Sequence, residues 1–293
     1  MFWRILSEIL FVLPFFYLFY LFQKNKKKFF DCFSSLFLLT FFVIFLKYYF
    51  KIPRPFEIRF LDTYSFPSHH AAHGGFFFAI CPNIFTFLYL FFISFLRLKI
   101  GIHTLTDVLG GISLGLLTPL FLKFIEKHLS SEIHRQSLHL GVSFILGSLF
   151  FEKRIYGILV CAFLLILGTF LFFLRRKKII AEFLNFYDRD GEKGWGAFTL
   201  IGGIFFVSLF WEEAWKACFI TGMIDGFSSL FKKNNKKITF GSLGAGLLGG
   251  IIASHLTGLP LIVGTLGTLI EELSPIDDNL VLPLGLYFIQ KYF

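Results

Sequence analysis

Long apolar stretches alternate with short polar ones along nearly the whole chain. Apolar runs cover about 5–22, 29–50, 71–81, 84–96, 105–125, 137–151, 155–174, 195–211, 214–231, 240–256, 258–270 and 280–293. A helix of about 20 apolar residues can cross a bilayer, and shorter runs must be tilted or covered by neighbouring helices. The pattern therefore predicts an all-α protein, a polytopic transmembrane helical bundle.

Composition and charge support the same class. Hydrophobic residues make up 56% of the 293 residues and charged residues only 16%, with a mean hydropathy of +0.72. A typical soluble domain has about 25% charged residues, spread along its helices and strands. The net charge of +9 comes from basic clusters that flank apolar runs, as membrane orientation requires. We therefore expect a lipid bilayer as the main partner and no nucleic acid.

The basic clusters also predict an orientation. If every run crosses the membrane once, the basic segments 24–28, 123–135, 175–178 and 232–237 share one side. The positive-inside rule makes that side cytoplasmic. The protein is then a multi-pass protein of the cell (inner) membrane, and the polar residues between 47 and 107 face the external or periplasmic side.

Three polar clusters in the first half each lie at the end of an apolar run. They are Lys47-x6-Arg54-Pro55, Pro67-Ser68-His69-His70 and Arg97-x5-His103-x3-Asp107. At a helix end a polar side chain reaches the lipid boundary without a prohibitive desolvation cost. The clusters combine fixed cations with two histidines, a carboxylate and a serine turn. Such a set suits phosphoryl transfer through a histidine, without a metal or other cofactor.

The order and spacing of these blocks resemble the type 2 phosphatidic acid phosphatase family, which includes undecaprenyl diphosphate phosphatases and vanadium haloperoxidases. The resemblance covers residues 1–127. It implies that His103 attacks phosphorus, that Asp107 orients His103, and that His70 protonates the leaving oxygen. It also implies a phosphate-binding set of Lys47, Arg54, Ser68 and Arg97. Two positions differ from the family pattern: His69 replaces a glycine and Leu96 replaces a serine.

The second half carries another polar constellation, which we expect on the cytoplasmic side. Acidic groups, lysines and a Gly-Ser turn are suited to holding a nucleotide with Mg²⁺. The stretch 269–280, with Asp225-Gly226 and Lys237-x3-Gly241-Ser242, resembles CTP-dependent dolichol, phytol and diacylglycerol kinases. The resemblance covers residues 128–293. It implies Mg²⁺ and CTP as cofactors and a nucleotide-binding set of Asp225, Lys237, Gly241, Ser242, Asp277, Asp278 and Asn279.

The sequence thus predicts two fused membrane domains, 1–127 and 128–293. The first is expected to be a metal-independent phosphatase that hydrolyses a lipid phosphate or a polyprenyl diphosphate. The second is expected to be a lipid-alcohol kinase-like domain. An alternative from a different class is a lipid transporter or scaffold whose polar clusters form a headgroup pathway. Loss of hydrolysis on replacing His103 would favour the enzyme.

Overall fold

The computed structural model describes residues 2–55, 64–128, 132–175, 177–187, 195–232, 239–274 and 278–292. All regular elements in these ranges are helices. The helices are α1 Phe2–Lys24, α2 Lys26–Phe50, α3 His69–Ile80, α4 Ile84–Lys99, α5 Leu105–His128, α6 Ile133–Glu152, α7 Arg154–Leu174, α8 Lys178–Tyr187, α9 Trp195–Ser208, α10 Ala214–Phe231, α11 Phe240–Thr257, α12 Leu261–Leu273 and α13 Asp278–Tyr292. Between α2 and α3, Pro53 and Tyr64 form an isolated antiparallel β-bridge.

The chain forms two compact units, Met1–Gly141 and Val142–Phe293. The division falls inside α6, whereas the sequence pattern placed it between residues 127 and 128. The first unit therefore keeps the opening turns of α6 together with α1 to α5. Each unit is described below by itself.

Five of the described helices are long and apolar enough to cross a membrane: Phe2–Lys24, Lys26–Phe50, Leu105–Lys127, Arg154–Leu174 and Phe240–Thr257. Helix α7 is the most exposed of the five, because only 11% of its most apolar 18-residue window is buried. Its exposed side chains include Ile155, Leu159, Phe163, Ile166, Phe170 and Phe173. A continuous apolar face of this size is rare on a protein surface in contact with water.

Close packing between α3 and α5 organises the first unit. A Cβ atom added at Gly75 would lie 2.5 Å from the carbonyl oxygen of Ile112. At Gly111 and Gly115 it would collide with the carbonyl oxygens of Ser68 and Ala72. Small residues at this spacing let two helix backbones approach closely. The start of α3, which carries Ser68 and His70, is thereby held against the start of α5, which carries Asp107.

The observed helices follow the predicted apolar runs closely, with one addition. Helix α8 covers residues 178–187, to which the sequence pattern assigned no element. The shorter runs form helices of 12 to 18 residues, such as α3 with 12 and α12 with 13. Among these shorter helices α3 is largely buried, with seven of its residues in the core.

Candidate functional site

The three predicted blocks meet at one end of the helices of the first unit. Lys47 lies in the last turn of α2, and Arg54 follows in the connection after it. Ser68 is the N-cap residue of α3, and His70 lies in the first turn of that helix. The last turn of α4 supplies Arg97 and the first turn of α5 supplies Asp107. His103 lies in the connection between α4 and α5.

The His103 ring lies beside the carboxylate of Asp107. The distance from His103 Nδ1 to Asp107 Oδ2 is 3.6 Å, and both side chains are almost fully buried. Two further contacts fix the carboxylate: the Thr104 backbone N–H donates to Oδ2 at 2.7 Å, and the Ser65 hydroxyl donates to Oδ1 at 3.3 Å. Asp107 is therefore held rigidly where it can orient the imidazole.

Arg54 determines which ring nitrogen of His103 carries the proton. Arg54 Nη1 lies 3.4 Å from His103 Nε2, and because a guanidinium can only donate, Nε2 must accept. The ring proton is then on Nδ1, on the side of Asp107. Burial lowers the pKa of His103 to about 2, and the charges of Arg54, Arg97, Lys47 and His70 act in the same direction. The imidazole is therefore neutral, and its contact with Asp107 is not an ion pair.

Two of the predicted phosphate-binding cations are deeply buried. Lys47 is only 3% exposed, and its ammonium group donates to the backbone carbonyl of Tyr64 at 2.6 Å. Arg97 is 5% exposed, and its Nη1 donates to the Ser7 hydroxyl at 3.2 Å. Charges removed from water in this way interact more strongly with a nearby anion than surface charges do.

Helix α1 contributes a carboxylate that the sequence analysis did not assign to the site. Glu8 Oε1 accepts from Arg97 Nη1 at 3.3 Å, and Glu8 Oε2 lies 3.2 Å from His70 Nε2. Arg97 Nη1 and His70 Nε2 are themselves 3.5 Å apart. The Glu8 carboxylate thus occupies donors that a phosphate oxygen would use.

Ser68 lines the site with its side chain rather than with its backbone amide. Its N–H donates to the Asp107 carbonyl at 2.9 Å, so that amide is not available to a phosphate. Its hydroxyl is buried and makes no hydrogen bond to any part of the chain that the structure describes. It also makes no capping hydrogen bond to α3. A buried hydroxyl of this kind can donate a hydrogen bond to a bound ligand.

Some of the missed contacts had a signal in the sequence. Glu8 is an acidic residue inside an apolar run, which marks a functional position by default. Thr104-x2-Asp107 has the spacing of a capping box, in which each side chain bonds the other residue's backbone N–H, and both bonds are present. The contacts of Ser65 and the Tyr64 carbonyl depend on tertiary packing and had no local signal.

The second unit holds a separate buried polar cluster at the ends of α10, α11 and α12. Lys232 Nζ lies 3.0 Å from Glu271 Oε1 and 3.7 Å from Glu272 Oε1. The Ser242 hydroxyl donates to Glu272 Oε2 at 3.4 Å. Three helix termini therefore bring acidic and hydroxyl oxygens to one place.

Asp225 lies next to this cluster on α10. Its Oδ1 accepts from Ser229 Oγ at 2.9 Å, and the Ser228 hydroxyl contacts both the Asp225 carbonyl and Glu271 Oε1, each at 3.4 Å. Asp225 is 4% exposed.

The structure brings together part of the predicted nucleotide-binding set. Asp225 and Ser242 lie in or beside the cluster, while Gly241 starts α11 and Asn279 is buried near the start of α13. Lys237, Asp277 and the side chain of Asp278 lie outside the described residues. Lys232, Glu271 and Glu272 also belong to the cluster, although the sequence-based prediction of the nucleotide-binding set did not include them.

Comparison of the chain with family models, curated proteins and solved structures gives no match. Its chemistry is therefore inferred from its own residues. In the first unit these are a neutral imidazole backed by a carboxylate and surrounded by three fixed cations. In the second they are buried carboxylates and hydroxyls around a lysine.

Proposed function

We propose that the first unit is an integral membrane phosphatase that acts on a lipid phosphate or a polyprenyl diphosphate through a phosphohistidine. One observation carries this proposal. The His103 ring is neutral, has its Nδ1 against Asp107, and lies within the electrostatic reach of Arg54, Arg97, Lys47 and His70. A neutral nucleophile surrounded by cations is what attack on an anionic phosphorus requires.

The reaction follows from this placement in two steps. The lone pair of His103 Nε2 attacks phosphorus, the bond from phosphorus to the lipid oxygen breaks, and protonated His70 gives its proton to that oxygen. Asp107 stabilises the positive charge that develops on the His103 ring. Water, deprotonated by His70, then attacks the phosphohistidine and releases inorganic phosphate. Arg54, Arg97 and Lys47 hold the phosphoryl oxygens in both steps, and the Ser68 hydroxyl donates to one of them.

The position of the site along the helices supports a lipid substrate. Lys26 begins α2 and Lys47 lies in its last turn, so about 30 Å of helix separates the basic end from the site. This distance matches the hydrocarbon thickness of a bilayer. The site would then lie at headgroup height, where a lipid phosphate can reach it while its acyl or prenyl chain stays in the membrane.

Metal removal and vanadate test this proposal directly. We expect phosphatase activity of the purified protein on a panel of lipid phosphates to persist in excess EDTA, because protein cations already neutralise the phosphate. Vanadate should inhibit competitively, since it mimics the five-coordinate phosphorus of the transition state. Activity that disappears in EDTA and returns with Mg²⁺ would contradict the roles given to Lys47, Arg54 and Arg97.

Glu8 is expected to weaken anion binding. Because its carboxylate contacts both Arg97 and His70, an arriving phosphate must displace it. Glu8→Gln should lower the inhibition constant of vanadate about fivefold, the factor for one unit charge at about 4 Å in water-like surroundings. Glu8→Asp keeps the charge and is the matched control. Unchanged or weaker inhibition of the Gln variant would show that Glu8 does not compete with the phosphate.

The sidedness of the site follows from the basic ends of the helices. We propose that the protein is a multi-pass membrane protein with Lys26 on the cytoplasmic side and the phosphatase site on the external side. In a background without the four native cysteines, Lys26→Cys and Thr106→Cys should react with an impermeant thiol reagent from opposite sides. Both positions are exposed at helix ends. Labelling of both from the same side would reject this topology.

For the second unit we propose a nucleotide-dependent lipid kinase, on the strength of the cluster of Lys232, Glu271, Glu272 and Ser242. The donor set fits Mg²⁺, because carboxylate and hydroxyl oxygens are the hard ligands that this ion prefers. Asp225, Glu271 and Glu272 would hold the ion, and Lys232 would pair with phosphate oxygens. A bound Mg²⁺–CTP would supply the transferable phosphoryl group, and the chain's own carboxylates would orient it.

A further inference from the structure

A second group of ligating side chains lies in the first unit, away from the phosphatase residues. Asp31 lies in α2, Glu126 near the end of α5 and His134 in the first turn of α6. One ligand atom from each lies within 4.8 Å of the other two. We propose that Asp31, Glu126 and His134 form a binding site for a divalent transition-metal ion that ties the start of α6 to α2 and α5.

The distances fit a common metal centre. Nitrogen and carboxylate oxygen ligands lie about 2.0–2.2 Å from Zn²⁺, so two ligands of a tetrahedral ion are roughly 3.4 Å apart. His134 Nε2 is 3.4 Å from Glu126 Oε1, which matches this spacing. His134 Nε2 is 4.0 Å from Asp31 Oδ1, so a shift of the Asp31 carboxylate by about half an ångström brings this pair to the same spacing. The ligand atoms of Asp31 and Glu126 lie within 4.8 Å of each other.

The charges favour a divalent ion over a simple ion pair. Asp31 and Glu126 repel each other, and a protonated His134 would neutralise only one of the two carboxylates. An ion of charge +2 neutralises both and leaves the imidazole neutral, as ligation requires. Lys27 and Lys123 also act on Asp31, but only through their charges at a distance. Their charges are screened by salt, whereas a ligated metal lies in direct contact with the oxygens.

The ligand types indicate which metal binds. One imidazole nitrogen and two carboxylate oxygens suit Zn²⁺, Mn²⁺ or Co²⁺, and Mg²⁺ prefers oxygen alone. Three protein ligands on a tetrahedral ion leave one position for water. His134 is buried, and Asp31 and Glu126 are partly exposed, so an ion can arrive from solvent and leave the nitrogen protected.

This metal site is independent of the proposed phosphatase site. Asp31 and Lys47 are at opposite ends of α2, about 24 Å apart along the helix. The metal would hold the start of α6 against α2 and α5 and would not take part in the phosphorus chemistry. Metal binding should accordingly stabilise the folded protein by mass action.

Zinc binding to the full-length protein tests the proposal. The protein is purified with an affinity tag that lacks histidine, stripped with EDTA, and titrated with Zn²⁺ against a chromophoric chelator. We expect one tight equivalent and an upward shift of the thermal unfolding temperature on loading. Asp31→Asn, Glu126→Gln and His134→Asn should each raise the dissociation constant of that equivalent at least tenfold, since even indirect partners of metal ligands cost that much. Co²⁺ should give the intense visible absorption of a tetrahedral site, and His134→Asn should remove it.

Glu132→Gln is the matched control, because Glu132 lies in the same segment but pairs with Arg135 at 2.9 Å. It should leave zinc affinity unchanged. The proposal is overturned if no saturable zinc binding occurs, if the same equivalent persists in His134→Asn, or if Glu132→Gln weakens it as much as Glu126→Gln does. Asp31→Asn, which preserves side-chain volume, keeps the test decisive if the histidine variant does not fold.

Discussion

Replacing His103 by alanine should reduce hydrolysis of lipid phosphates by at least about three orders of magnitude. Removal of a nucleophile commonly costs this much or more, because only binding and charge stabilisation remain. The loss should appear in kcat rather than in KM, since Arg54, Arg97 and Lys47 still bind the phosphate. Initial rates on a defined lipid phosphate in detergent micelles measure both constants.

The control and the chemical signature make this result specific to His103. His255→Ala changes an exposed histidine near the end of α11 and should leave the rate unchanged. Rapid quenching of the wild type with a ³²P-labelled substrate should trap a phosphoprotein that is labile to acid and stable to base, as expected for phosphohistidine. The His103→Ala variant should show none. A variant that retains more than a tenth of wild-type activity would exclude His103 as the nucleophile.

The helices of this chain could be predicted largely from the sequence, because apolar runs of helical length leave few other structures for a chain in lipid. The start of α2 differed from the prediction by three residues, and the start of α5 matched it at Leu105. Helix α8 was missed because residues 178–187 form a short amphipathic segment between two polar stretches. Because its apolar and polar residues alternate along the sequence, it contains no continuous apolar run by which it could be recognised.

The grouping of the residues in the proposed phosphatase site was predictable in part, for a different reason. Their order and spacing are local properties, and Arg97, His103 and Asp107 lie within a single helix–connection–helix segment. That Lys47 and Ser68 reach the same place depends on tertiary packing, chiefly the contact of α3 with α5 at Gly111 and Gly115. Spacing cannot encode such contacts.

Contacts between distant parts of the chain explain what was missed. Glu8 reaches Arg97 across 89 residues of sequence. The three ligands of the proposed metal site lie on three helices, and each alone looks like an ordinary charged residue near a membrane boundary. In the second unit Lys232 belonged to a basic cluster that read as an orientation signal, yet its ammonium group is buried against Glu271. A lysine that orients the chain in a membrane and a lysine buried in an ion pair have the same local sequence.

Asp225→Asn should abolish nucleotide-dependent phosphorylation of lipid alcohols, by roughly two orders of magnitude or more, and leave hydrolysis intact. Asp225 is buried on α10 beside Ser229, close to Glu271. Loss of its charge removes a ligand that would help to neutralise the nucleotide phosphates and their Mg²⁺. Transfer of ³²P from CTP or another nucleotide to dolichol, phytol or diacylglycerol measures the reaction. EDTA should stop this transfer and spare the phosphatase.

The activities of the two units can be distinguished by comparing this variant with His103→Ala, which should lose hydrolysis and keep nucleotide-dependent phosphorylation. Glu213→Gln is the matched control, since Glu213 is an exposed acid paired with Lys216 at 2.9 Å just before α10. It should leave both reactions unchanged. If no nucleotide supports transfer to any lipid alcohol, and Asp225→Asn changes no measurable activity, the kinase proposal for the second unit is wrong.

The buried cluster of Lys232, Glu271 and Glu272 would then serve packing, and the second unit would act as a scaffold or as part of a lipid-transport pathway. Headgroup translocation in reconstituted vesicles would distinguish these two roles, because a pathway lined by these charges should fail when Glu271 and Glu272 are both replaced by Gln.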